Sequence, residues 1–165
     1  MAIFDRSVHK YYEGIVPEAG EYTEEEKEVI AKIAEFPNLI GASIEKYRFR
    51  EALAEFMNLA RLGNKYLTDT EPWKVVKTDP ERVKTILHLS LQICACLSVL
   101  GEPFLPFTSE KLQKILDIDV HAWDEGGKID LLKAGDKINV PEYLFEKIED
   151  AAIGAQISKL NKDNL

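Results

Sequence analysis

The chain is poor in the features that most often announce a function. It has only two cysteines in 165 residues, Cys94 and Cys96. They stand two positions apart, about 200° around a helix, so they neither bridge each other nor share a metal. They read as small buried hydrophobes in a reducing compartment, and the expected location is the cytoplasm. The three histidines, His9, His88 and His121, are scattered without metal-ligand spacing. His88 falls in an apolar helix and reads as a hydrogen-bonded core residue. No G-x-G-x-x-G, G-x-x-x-x-G-K-[ST] or G-x-S-x-G occurs. The chain is therefore assigned no catalytic residue, no metal and no cofactor of its own.

Export and membrane signals are missing too. The N-terminal "MAIFDRSVHKYY" has no apolar signal segment. The longest strongly apolar run, "ILHLSLQICACLSVL" (86–100), holds His88, Gln92 and two serines, and reads as too short to span a bilayer. Positive charge is also scarce. Lys and Arg number 21 against 29 Asp and Glu, a net charge of −8. A protein that grips nucleic acid through phosphates alone is usually basic. This one is expected to read a few bases locally, or to belong to a larger protein that supplies the cations. Neither a membrane nor DNA is an expected partner.

What is present is helical periodicity, in a 45% hydrophobic and 30% charged chain long enough for one core. A short helix is predicted over 3–13, ending at Gly14 with Pro17 beyond. Thr23 and Glu26 form a T-x-x-E capping pattern. The helix they start has Val29, Ile30, Ile33 and Ala34 on one face, with a break or kink expected at Pro37 and a continuation to about Glu45. The acidic "EEEKE" (24–28) reads as a solvated helix start. A helix over 47–69 carries a wide apolar stripe in which Ala60 and Gly63 leave room for a neighbour. Asp79 and Pro80 open a helix to about Leu100 that is apolar nearly all round and therefore central. After "GEPFLPF" (101–107), Thr108 or Ser109 is expected to cap a helix to about Leu116. The glycine- and charge-rich stretch 117–140 has no helical period and reads as irregular, surface-running chain. Pro141 should begin a last helix to about residue 160. The expectation is one all-α domain over 1–165, a bundle of about five helices. Residues 1–116 form its core, 117–140 an irregular connector and 141–160 the C-terminal helix.

One stretch carries chemistry, "NKYLTDTEPW" (64–73). Asn64 falls at the edge of the buried face of its helix, where its amide can donate and accept. Pro72 stops that helix, and Trp73 follows with Lys74 and Lys77 close behind. An aromatic face, an amide and two cations at one helix end suit a single-stranded nucleic-acid loop. Unpaired bases stack on such rings at about 1–3 kcal/mol each, and lysines meet phosphates. The same Pro-Trp pair also fits a packing anchor, and the residues alone leave both readings open. Trp123, in the irregular stretch, reads as an anchor for its loop.

The stretch "FMNLARLGNKYLTDTEPWKVVKTDPERV" resembles the anticodon-binding domain of class I aminoacyl-tRNA synthetases, and within that class it is most similar to the methionyl enzymes. The pattern N-[KR]-Y-[LIV]-x-x-x-x-P-W is matched at every specified position from Asn64 to Trp73. "LPFTSEKLQKIL" (105–116) resembles the family's proline-marked turn and next helix. "LLKAGDKI" (131–138), "LFEKIEDAAIGAQ" (144–156) and "HKYYEG" (9–14) resemble flanking segments. The resemblance covers nearly the whole chain.

It implies that Trp73 stacks on the anticodon, that Pro72 sets the approach of the ring, and that Asn64 organises the helix end. In the family, an N-x-x-x-R pair on the first helix also reads bases. Its Arg would lie eleven residues before Gly14, where this chain has Ile3, and its Asn would precede Met1. Arg6 is the nearest arginine, three residues out of register, and receives the role only on that basis. Family members also carry H-I-G-H-like and K-M-S-K-S-like motifs in a Rossmann catalytic domain, and neither is present here. The chain thus looks like a C-terminal part of a longer ligase that attaches methionine to its tRNA. The implied partners are the tRNA anticodon loop and that catalytic domain, which would use ATP, magnesium and zinc. Three rivals stand beside this reading: the matching domain of the isoleucine, valine, leucine or cysteine enzyme, a helical protein-interaction module without RNA, and a free-standing enzyme.

Overall fold

A computed structural model of the chain describes residues 8–9, 11–120, 122–145 and 148–162. Ile3, Arg6 and His121 lie outside these residues, as does most of the helix expected over 3–13. Its described end is helical and turns at Gly14 (φ 80°), where an added Cβ would stand 2.6 Å from the His9 ring.

Thr23 caps the first long helix, α1 (Glu24–Glu45), through the expected reciprocal box with Glu26. The break expected at Pro37 does not occur, and α1 runs through it. Pro37 forfeits one helical hydrogen bond, but it is buried with Ile33, Phe36 and Ile40, and that shared burial outweighs the loss. The Trp123 indole N–H also donates to the Pro37 carbonyl at 2.9 Å. α1 ends in a tight turn. The Tyr47 N–H donates to Ile44 O at 2.9 Å and the Arg48 N–H to Ser43 O at 2.8 Å, with Tyr47 in the left-handed region at φ 58°.

Helix α2 (Phe49–Thr70) returns along α1, burying Ala52, Phe56, Leu59, Gly63, Tyr66 and Leu67 on one face. Gly63 is required there, since a Cβ would stand 2.9 Å from Ile93 of the central helix. The single turn α3 (Pro72–Val75) follows at once. Asp79 then caps α4 (Pro80–Leu100), its side chain accepting from the Arg82 N–H. Every residue of α4 from Thr85 to Leu100 is buried. By length and composition α4 could cross a membrane, against the expectation from the shorter apolar run, but 94% of that window is buried inside the bundle. One face of α4 (Ile86, Leu89, Ile93, Leu97) packs with α1 and α2, and the other (Leu87, Leu91, Cys94, Ala95) packs with α5 and with irregular chain. Helix α5 (Pro106–Leu116) starts at Pro106, earlier than Thr108, with no side-chain cap. Proline at the first position replaces the cap, because its missing N–H needs no partner.

Stretch 117–140 is irregular, with a short 3-10 turn at Trp123–Gly127, but it is not surface chain. Leu132 and Ile138 are 2% and 1% exposed. The Gln92 side chain inside α4 imitates a strand for it, donating to Leu132 O at 2.6 Å and accepting from the Leu132 N–H at 3.2 Å. Gln92 Nε2 also donates to His88 Nε2 at 3.1 Å, which leaves the proton on His88 Nδ1, 2.8 Å from the Pro17 carbonyl. His88 is therefore a hydrogen-bonded core residue. Both cysteines are buried and form no disulfide, and burial pushes the Cys96 thiol up to about 12. The last helix, α6, spans Asp150–Lys162 and begins well after Pro141. In the stretch before it Tyr143 and Phe145 are mostly exposed, while Leu144 packs against the core.

Candidate nucleic-acid interface

The predicted binding stretch sits where α2 gives way to α3. The Glu71 N–H still bonds to Leu67 O at 2.9 Å, so Glu71 closes α2. It adopts the left-handed conformation (φ 41°), and its own carbonyl accepts from the Lys74 N–H at 2.8 Å, which starts α3. Pro72 has no N–H with which to continue α2, and its ring is buried. The two helices thus meet at one residue, and Trp73 is carried out on a short turn.

Trp73 is 47% exposed. The packing-anchor reading predicts a buried ring, and this ring is not. Its neighbours Val75 and Val76 are partly buried against the core, so the turn itself is anchored while the indole faces outward. Asn64 is exposed on α2, seven residues before Glu71, or about 10 Å along the axis. Its side-chain amide has no partner among the described residues, and its carbonyl accepts from the Thr68 hydroxyl at 2.9 Å. Lys77 is exposed and makes no ion pair among the described residues. Lys74 is different, because its Nζ lies 2.7 Å from the Glu71 carboxylate. The structure therefore brings Asn64, Pro72, Trp73, Lys74 and Lys77 to one end of α2, with Lys74 already partly neutralised.

Beneath this end lies a polar cluster that the sequence reading missed. The Glu26 carboxylate is 1% exposed. Arg82 grips it with two hydrogen bonds, of 2.9 and 2.7 Å, the Tyr66 hydroxyl donates to it, and the Thr23 N–H donates at 2.9 Å. Burial alone would push this carboxyl up. The bonds from Arg82, Tyr66 and Thr23 outweigh it and hold Glu26 below the usual carboxylate range. Burial, and then Glu26 itself, push the Tyr66 hydroxyl far up. Tyr66 is the third residue of the N-K-Y pattern, so the motif's tyrosine ties the end of α2 to the starts of α1 and α4. Within "EEEKE", only Glu26 leaves the solvated face. Its capping pattern was a signal for the local bond, but nothing in the spacing links position 26 to positions 66 and 82. Among the described residues no three His, Cys, Asp or Glu side chains are grouped to hold a metal ion.

Comparison with known proteins follows the same residues. Residues 16–161 match the family described as the anticodon binding domain of methionyl tRNA ligase. The chain is 57% identical over 152 residues to a methionine–tRNA ligase of Cytophaga hutchinsonii, covering 92% of this chain and 22% of the relative. It is 54% identical over 151 residues to a methionine–tRNA ligase of Bacteroides fragilis, again covering 92% and 22%. It spans about a fifth of the length of the curated relatives it matches. The ligand-free crystal structure of Mycobacterium tuberculosis methionyl-tRNA synthetase superposes with a TM-score of 0.80 at 18% identity, over 90% of this chain and 31% of that one. At that identity the likeness concerns the all-α fold.

Proposed function

The chain belongs to the family of methionyl-tRNA ligase anticodon-binding domains, and on that footing we propose that it recognises the anticodon loop of a methionine tRNA by stacking a base on Trp73. The observation that carries this reading is the exposed indole on a turn whose backbone is fixed from both sides. Stacking on a preset ring loses little side-chain freedom and contributes about 1–3 kcal/mol per base. Asn64, with an uncommitted amide, supplies polar contacts to a base edge or to ribose. Lys77 meets backbone phosphate, and Lys74 does so less strongly because it must share its charge with Glu71. Pro72 holds the ring's approach. Arg6, outside the described residues, is given a base-reading role only as the arginine nearest to position 3, where the family resemblance expects one. This local reading suits a chain of net charge −8, whose affinity cannot come from a general cationic surface.

In this proposal the chain is one domain, without chemistry of its own, of a longer cytoplasmic ligase that attaches methionine to tRNA. ATP, magnesium and zinc belong to the catalytic domain of that enzyme. The exposed apolar side chains of the C-terminal region, Phe145, Ile148, Ile153 and Ile157 among them, support a contact with that domain. Affinity is then shared between the domains, so the 165-residue chain alone binds weakly.

The test is a titration at low salt with a methionine-anticodon stem-loop and the same stem-loop carrying another anticodon. The expected result is a preference for the methionine anticodon that drops about tenfold or more with Trp73→Ala, as loss of roughly 1.4 kcal/mol of stacking requires. Equal, weak binding to both loops, unmoved by the substitution, would rule the reading out in favour of the protein-interaction module.

A further inference from the structure

The opposite end of α2 carries a second set of exposed aromatic and cationic groups. Tyr47 is 82% exposed and Phe49 58%, and their rings meet edge to face with centroids 6.3 Å apart. Residues 46–50 read "KYRFR", three cations and no acid, in a chain of net charge −8. Elsewhere the lysines are mostly answered by a nearby acid, as at Lys27, Lys65, Lys84, Lys114 and Lys128. Here Lys46 and Arg50 make no ion pair among the described residues. Arg48 has only a stretched, exposed contact of 3.6 Å to Glu51.

The backbone adds an independent observation. Tyr47 occupies the left-handed position of the turn that closes α1, which glycine fills most easily. A tyrosine held there bears strain. Its ring is almost wholly in solvent, so packing inside the chain does not compensate. Strained residues with no internal return collect at sites that act on something outside.

We propose that this turn is a second RNA-contacting surface, with Lys46, Arg48 and Arg50 on backbone phosphates and the Tyr47 ring against an unstacked base. Phe49, where α2 starts, lies about 22 Å along the helix from Asn64, so the turn meets a different part of the RNA from the loop bases at Trp73. The proposal rests on the reading that the chain binds tRNA, and the two are tested apart.

The experiment measures binding of a folded methionine-tRNA transcript to the 165-residue chain and to three variants, Tyr47→Gly, Arg48→Gln with Arg50→Gln, and Trp73→Ala. Tyr47→Gly should weaken binding at least threefold while raising Tm by about 2–4 °C, because glycine relieves the turn. Those opposite signs separate lost contact from lost fold. The double arginine variant should lower the slope of log affinity against log salt by about 1.4 to 1.8. Loss with Trp73→Ala but unchanged affinity and salt slope in both turn variants would overturn the proposal and assign the turn to a protein contact. Loss in the turn variants alone would keep it and remove the stacking role of Trp73. If the unaltered chain does not bind the transcript at all, both fall.

Discussion

The two ends of α2 present aromatic rings to solvent by different means. At the C-terminal end, Trp73 stands on a turn whose Val75 and Val76 pack against the core, just past the segment of α2 that Tyr66 ties to the buried Glu26 carboxylate and through it to Arg82 and Thr23. At the N-terminal end, Tyr47 and Phe49 stand on a turn with a strained tyrosine, and no side chain caps the start of the helix. The first end is rigid because a buried charge leaves few alternative arrangements for the three helices that share it. The second is held by backbone bonds and by exposed contacts, the Tyr47–Phe49 ring pair and the stretched Arg48–Glu51 pair. Rigid support suits a ring that must meet one base in one orientation. A lightly held turn suits contacts that follow a flexible phosphate chain.

The largest effect is expected from removing the support of the first end. Arg82→Met leaves Glu26 buried and unpaired, and should cost about 3–5 kcal/mol in denaturant unfolding. Stem-loop preference should weaken with it although no residue of the exposed site has changed. Acid reaches the same cluster without mutation. Glu26 titrates lower in the folded chain than in the unfolded one. Its contribution to stability is therefore complete above the ordinary carboxylate value of 4.5 and disappears as pH falls through the lowered folded value. A urea-unfolding series from pH 6 to pH 2 should fall more steeply below about pH 4.5 for the native chain than for Glu26→Gln.

Pro72→Ala is an intermediate case. It restores a backbone N–H at the junction and loosens the unfolded chain, a loss of about 1 kcal/mol. The indole stays, so a drop in stem-loop affinity beyond threefold in that variant would show that the approach of the ring matters as well as its presence. The smallest effects belong to the surface cations. Lys74→Ala and Lys77→Ala should each change stability by less than about 1 kcal/mol. Their salt dependences should differ. Lys77→Ala should lower the salt slope by about 0.7, and Lys74→Ala by less, because Glu71 already holds part of that charge.

Much of this was legible in the residues. Helix α4 declared itself through Asp79, Pro80 and its continuous apolar run, and the end of α2 through Pro72. Three features were not legible, for related reasons. Pro37 sits inside α1 because burial beside Ile33, Phe36 and Ile40 overrides a local rule. The stretch 117–140 lacks a helical period yet lies against the core, because Gln92, forty positions from Leu132 in sequence, supplies the backbone's missing partners. The Glu26 cluster joins positions 26, 66 and 82, and no local spacing connects them. In the last two cases a contact between distant segments decided the outcome, where a single sequence carries little signal. The exposed end of the site was easier to read, since Asn64, Pro72 and Trp73 lie within ten consecutive residues.

The central claim is that Trp73, held from below, receives a base on its open face. Its most direct test is the fluorescence of Trp73 in a Trp123→Phe chain, where it is the only indole, followed during addition of the methionine-anticodon stem-loop. Solvent-exposed emission is expected in the free chain and saturable quenching by that stem-loop, with much less quenching by the loop of changed anticodon at equal concentration. Emission that stays constant while an independent probe reports the stem-loop bound would contradict it.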